Sequence, residues 1–200
     1  MKKLISIFLI GFSVTAFAQP KGKAPKMAPV MVKGYYLNLK GDTVRGEIQS
    51  NPDDPTDFYK GFNFRIGSVG KVAPISTKKA KAYGFENRHF VLVPYDAELD
   101  VYIETLAKGR LNFYEYRFND KKDGEPTVTS SYYIQDTRAE EKDAALKELK
   151  MISTKFYKKD LKPYMKDQAM TWNDLDKFVF DKPTVTKAIM EFNKFYEQPQ

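Results

Sequence analysis

The sequence has no cysteine, one histidine (His89) and one tryptophan (Trp172) among its 200 residues. Without cysteine there are no disulfides, thiolate metal sites, thiol nucleophiles or acylated lipoprotein cysteine. A single histidine excludes a metal centre built on two imidazoles. No run beyond residue 18 approaches the ~20 apolar residues that a membrane-spanning helix needs. A Gly-x-Ser-x-Gly elbow is absent. The segment Gly67-Ser68-Val69-Gly70-Lys71 misses the phosphate-loop spacing, because two residues separate its glycines and Val72 follows the lysine. What is present is a chain 42% apolar and 30% charged, enough for a packed core and for one domain of ordinary size.

The formal charge of +7 suggests an acidic partner at first sight, but its placement removes that reading. Lys2 and Lys3 precede the short apolar stretch Leu4–Val14, and Ala16-Phe17-Ala18 supplies the small residues a signal peptidase needs. The pattern predicts a signal peptide over 1–18, export, and a mature protein that is periplasmic or secreted and not lipid-anchored. Residues 19–33 carry three prolines and four lysines with no acid, as in Pro20-Lys21-Gly22-Lys23-Ala24-Pro25-Lys26, and read as a flexible basic linker. From Gly34 onward 27 basic residues face 26 acidic ones, so nucleic acid is not an expected partner.

Residues 34–136 read as an antiparallel β-rich region. Tyr36-Leu37-Asn38-Leu39 and Thr43-Val44-Arg45-Gly46-Glu47-Ile48 flank Lys40-Gly41-Asp42 as a hairpin. Phe62, Phe64 and Ile66 alternate as a half-buried strand does. Lys81–Phe85 and His89–Val93 form a second hairpin around Glu86-Asn87-Arg88. Val101–Leu106, Asn112–Phe118 and Val128–Gln135, joined by Lys108-Gly109 and a turn with Asp123-Gly124, form a meander rich in aromatic and β-branched residues.

The periodicity changes after Asp136, and residues 137–200 read as helical and packed on the sheet. Thr137-Arg138-Ala139-Glu140 is a capping box for a helix to about Met151, with Ala145, Leu146 and Leu149 as its stripe. Ser153 caps a second helix that ends or kinks at Pro163. Thr171-Trp172-Asn173-Asp174 resembles another capped start. Pro183 opens a final helix whose Val185, Ile189, Phe192 and Tyr196 share one face. The expected fold class is α+β in a single domain, with about eight or nine strands followed by three or four C-terminal helices.

The hairpin Gly34–Ile48, with Gly41-Asp42-Thr43 at its turn, resembles the opening of many uncharacterised exported proteins of Bacteroidota. Glu104-Thr105-Leu106-Ala107-Lys108-Gly109, Leu111–Tyr114, Tyr132-Tyr133-Ile134 and a closing helix with Ile189 and Asn193 are similar to the same group. The resemblance implies export and a β-rich fold with a helical tail. It brings no catalytic residues.

No catalytic, cofactor-binding or metal-ligating set emerges. His89 reads as a rim histidine beside a hairpin turn. Asp53, Asp54 and Asp57 form an acidic turn with two prolines and no glycine, unlike an EF-hand loop. The tyrosines Tyr35, Tyr36, Tyr114, Tyr116, Tyr132 and Tyr133 fall on both faces of neighbouring strands, and those left uncovered form a candidate partner surface. The expected function is a non-catalytic binding module for an envelope protein, peptide or glycan. The alternative is a carboxylate-based hydrolase acting on an envelope glycan or peptide.

Overall fold

The computed structural model describes residues 28–51, 54–95, 99–137, 148–166, 168, 172–173, 175 and 179–197. The signal-peptide pattern over 1–18, most of the basic linker and Arg138–Lys147 of the first expected helix lie outside the described residues. The strands are β1 (Met31–Asn38), β2 (Thr43–Gln49), β3 (Gly61–Arg65), β4 (Ala73–Ser76), β5 (Ala80–Phe85), β6 (Arg88–Pro94), β7 (Asp100–Ala107), β8 (Leu111–Lys122), β9 (Glu125–Asp136) and β10 (Lys150–Ile152). A 3-10 turn, Asp57–Tyr59, precedes β3, and the helices are α1 (Tyr157–Met165) and α2 (Lys182–Glu197).

All pairings are antiparallel within one sheet, ordered β10-β9-β8-β7-β6-β5-β1-β2-β3-β4. The α+β expectation of eight or nine strands and three or four helices is therefore corrected. The fold is a ten-stranded antiparallel sheet, with two helices among the described residues. The first expected helix fails at its C-terminal end because β9 offers an open edge, and Lys150, Met151 and Ile152 pair with Ile134, Tyr133 and Tyr132. Ile152 is buried in this ladder while Met151 is exposed. Another boundary also moves: β1 starts at Met31, within the segment read as linker.

The chain order forces the sheet to curl. Strands lie ~4.8 Å apart, so β4 and β5, four places apart in the sheet, would be ~19 Å apart if it were flat. Only Thr77–Lys79 join them, and Lys79 N donates to Ser76 O at 3.0 Å in a turn. Such a link reaches about 11 Å. Strands β1 to β4 must therefore roll over toward β5. Gly34 and Gly46, paired across β1 and β2, permit the close approach. A Cβ on Gly46 would lie 2.3 Å from the Arg65 carbonyl oxygen, and one on Gly34 would lie 2.7 Å from that of Gly84.

The rolled half closes on an aromatic core. Tyr83 stacks on Phe90 at 4.6 Å and on Phe62 at 4.1 Å between centroids, and Phe58 and Tyr59 of the 3-10 turn plug the interior. Burial of these rings is the main stabilising term, at about 1.5–3 kcal/mol per side chain before entropy is charged. Their hydroxyls find carbonyls: Tyr83 donates to Phe58 O, and Tyr102 donates to Ala80 O at 3.0 Å.

A second core lies where α1 and α2 cover β8 to β10, and it contains Phe113, Ile134, Ile152, Leu161, Ile189 and Phe192. Val185, Ile189 and Phe192 are buried on the face that their spacing predicts. Asp181 caps α2, accepting from Thr184 N at 3.0 Å and from its hydroxyl at 2.7 Å. Pro163 lies inside α1 and does not end it, since the helix stops two residues later anyway. Asn193 locks α2 to the β7–β8 turn: Leu111 N donates to Oδ1 at 2.8 Å and Nδ2 donates to Leu111 O at 2.9 Å. That amide completes a ladder pair at Leu111 as a neighbouring strand would. Gly109 makes room for it, because a Cβ there would lie 2.6 Å from Asn193 Cγ. No helix among the described residues is long and apolar enough to cross a membrane.

Candidate functional site

The six tyrosines do not form one exposed surface. Direct partners in an antiparallel ladder share a face. Tyr36 is paired with Tyr83 and turns inward against Phe64, 4.9 Å between centroids. Tyr132 packs in the helix-covered core instead, on Phe113 and under Phe180 at 4.8 Å. Tyr114 and Tyr116 lie with Tyr133 on the face opposite Tyr132 and pack into the aromatic core of the rolled half, where they are only 6% and 7% exposed. Burial pushes the phenols of Tyr114, Tyr116, Tyr132 and Tyr133 above their ordinary pKa. Tyr35 stands apart on β1, its hydroxyl 2.9 Å from His89 Nδ1 on β6. Gly84 leaves space for that pair, since a Cβ there would lie 2.9 Å from the imidazole.

The other sequence candidates resolve into turns. The Asp54 carboxylate accepts from Thr56 N at 2.9 Å and Thr56 Oγ1 at 2.6 Å, and the hydroxyl contact holds it below the usual carboxylate range. Asp53 lies outside the described residues. Asp123 and Gly124, at φ of 54° and 86°, make the β8–β9 turn. Among the described residues no three His, Asp or Glu side chains are grouped to hold a metal ion.

A buried ionic network lies between β6, β7, β8 and α2, with no local motif in the sequence to mark it. Glu104 on β7 and Glu115 on β8 are direct ladder partners, a placement in which like charges repel. Arg88 clamps Glu104 with Nε at 2.8 Å and Nη2 at 2.7 Å, and Tyr59 donates to the same carboxylate at 3.0 Å. Glu115 receives Ser130 Oγ at 2.8 Å, Arg117 Nη2 at 3.1 Å and Lys182 Nζ at 3.1 Å. Arg117 Nε also lies 3.1 Å from Glu115 Oε1, an electrostatic contact without hydrogen-bond geometry. Burial pushes Glu115 toward the neutral acid, but Arg117, Ser130 and Lys182 outweigh it and hold the carboxyl below its ordinary value. Tyr59 and Tyr83 are raised far above the phenol range, chiefly by burial, and Tyr102 is pushed up to about 12. Every oxygen of the two carboxylates is engaged, and these are structural groups. They hold the rolled half of the sheet to the helix-covered half, with Lys182 reaching in from α2.

Among the described residues a ligand-sized space lies at the mouth of the rolled sheet. It is a groove of about 550 Å³ between the end of β2, the start of β3, the edge strand β4 and the 3-10 turn. Phe58, Phe62 and Ile75 make its apolar floor, and Gln49, Asn51, Asn63, Asp57 and Lys60 stand around it. The alternation of β3 puts Phe62 and Phe64 into the core and turns Asn63 out, where its Nδ2 donates to Gln49 Oε1 at 2.9 Å. Asn51 donates to the Asp57 carboxylate, which ties the loop after β2 to the 3-10 turn. The volume, apolar floor and few convergent polar groups are those of small-molecule sites.

A second concavity of about 450 Å³ lies over Tyr35, Arg45, Glu47 and Gly84. Its Glu47 is already committed to Arg65, whose Nε lies 2.8 Å away. Sequence reasoning missed the first groove because Gln49, Asn51 and Asn63 are isolated amides in unremarkable contexts. The one local signal, the turn-rich loop Asn51–Asp57, reads simply as a turn.

The chain matches no protein-family model, no curated protein and no solved structure.

Proposed function

We propose that the protein is an exported, non-catalytic binding module that holds an envelope peptide or glycan in the groove at the mouth of its rolled sheet. The observation that carries this reading is the groove itself: an apolar floor of Phe58, Phe62 and Ile75 bordered by the amides of Gln49, Asn51 and Asn63. Export rests on the N-terminal pattern of Lys2, Lys3, Leu4–Val14 and Ala16-Phe17-Ala18, and on the resemblance to exported Bacteroidota proteins.

The hydrolase alternative needs two carboxylates in one cavity, one of them raised to act as an acid. Among the described residues the carboxylate bordering this groove is Asp57. Glu104 and Glu115, the paired carboxylates, are neutralised by Arg88, Arg117 and Lys182, and Glu115 is lowered. Binding is therefore favoured over hydrolysis.

The test is a titration of ¹⁵N-labelled protein with fractionated envelope material from the source organism. Binding should perturb the amide signals of Gln49, Asn51, Gly61 and Asn63 while the fraction stays chemically intact. Perturbation confined to other surfaces, or covalent change in the fraction, contradicts the proposal.

A further inference from the structure

We infer that the ligand of this groove is an uncharged oligosaccharide, a deepening that rests on the groove being the binding site. The lining carries one acid, Asp57, and one base, Lys60, so its formal charge is zero and exerts no net pull on an ionic ligand. What remains is amide chemistry. Asn63 Nδ2 donates to Gln49 Oε1 at 2.9 Å, which leaves Asn63 Oδ1 as an acceptor and the Gln49 amide group as a donor. Asn51, held by its bond to Asp57, likewise keeps its side-chain oxygen as an acceptor. Paired donors and acceptors on one rim suit hydroxyl groups, which donate and accept at once. The half-buried Ile75 and the exposed Pro29 and Pro74 of the lining suit the C–H face of a sugar ring.

A peptide would most naturally bind here by adding a strand to the free edge of β4. That edge is a poor template. It is four residues long, and Pro74 has no N–H to give. The Ser76 carbonyl already accepts from Lys79 N at 3.0 Å and faces the Tyr102 hydroxyl at 3.4 Å. Recognition must then come from side chains, and the side chains present are those that bind polyols.

The experiment titrates ¹⁵N-labelled full chain with cellotriose, maltotriose and chitotriose, and separately with trialanine. At least one trisaccharide should move the side-chain amide signals of Gln49, Asn51 and Asn63, and trialanine should leave them in place. Asn63→Ala, at an exposed position, should weaken that binding about tenfold, with an unchanged melting temperature showing that the fold is intact. The inference is overturned if no trisaccharide moves these signals, if trialanine moves them as strongly, or if Asn63→Ala binds like wild type. Should envelope fractions perturb the groove while all three sugars fail, the binding site stands and the oligosaccharide assignment falls. Should neither perturb it, both fall.

Discussion

Replacing Asn193 by alanine removes the side chain that completes both backbone groups of Leu111. Asn193 is 2% exposed and Leu111 is fully buried, so water cannot easily substitute. The Leu111 N–H and C=O, bonded at 2.8 and 2.9 Å in the native protein, would both be left without partners. An orphaned buried backbone group costs about 1–3 kcal/mol, and the pair therefore about 2–6 kcal/mol. For a domain of this size each kcal/mol lowers Tm by about 2–4 °C, which places the loss at roughly 4–24 °C. Asn193→Asp should not rescue it, because the second carboxylate oxygen would then face the Leu111 carbonyl oxygen. Gly109→Ala should act in the same direction, since its Cβ would lie 2.6 Å from Asn193 Cγ. Thermal and urea unfolding, followed by the near-ultraviolet signal of the aromatic core, measure all three. An Asn193→Ala protein that melts within about 1 °C of wild type would refute the view that this amide joins helix to sheet.

Glu115 has a lower carboxyl pKa in the folded protein than when unfolded, so it contributes stability above the unfolded value that is lost as pH falls through the folded one. Urea midpoints taken from neutral to about pH 3 should therefore fall on the acid side, and Glu115→Gln should be less stable at neutral pH with a flatter acid limb. Gly46→Ala should cost about 3 kcal/mol or prevent folding, because the Arg65 carbonyl lies 2.3 Å from the added carbon. Gly124→Ala, at φ of 86° but with open space around it, should cost only about 1 kcal/mol in the same denaturation assay. Tyr116→Ala should lower stability by about 3–5 kcal/mol in urea unfolding, since the ring is 7% exposed and packs on Tyr59 at 5.7 Å.

The hairpins were legible because their information is local. Gly41 at φ of 95° and Gly124 at 86° mark turns, and the alternation of Phe62 and Phe64 marks a buried face. The final helix was legible for the same reason, with an apolar stripe at helical spacing and Pro183 in its first turn. What failed depends on distant partners. Lys150–Ile152 became a strand because the β9 edge was free to pair with it. The roll of the sheet follows from β5 pairing with β1 across an intervening meander, a long-range choice that no window of sequence contains. The tyrosines carried the correct periodicity but could not say which faces were covered. Glu104 and Glu115 become partners only through the register of β7 on β8, and the groove amides meet only once the sheet has rolled.

The measurement that bears most directly on the account is retention of fractionated envelope material on immobilised protein. It compares wild type, the double variant Asn51→Ala/Asn63→Ala at the groove, and Lys187→Ala on the exposed side of α2 as a control. The account predicts that wild type and Lys187→Ala retain the same component and that the double variant, equally folded, does not. Equal retention by all three proteins would contradict it.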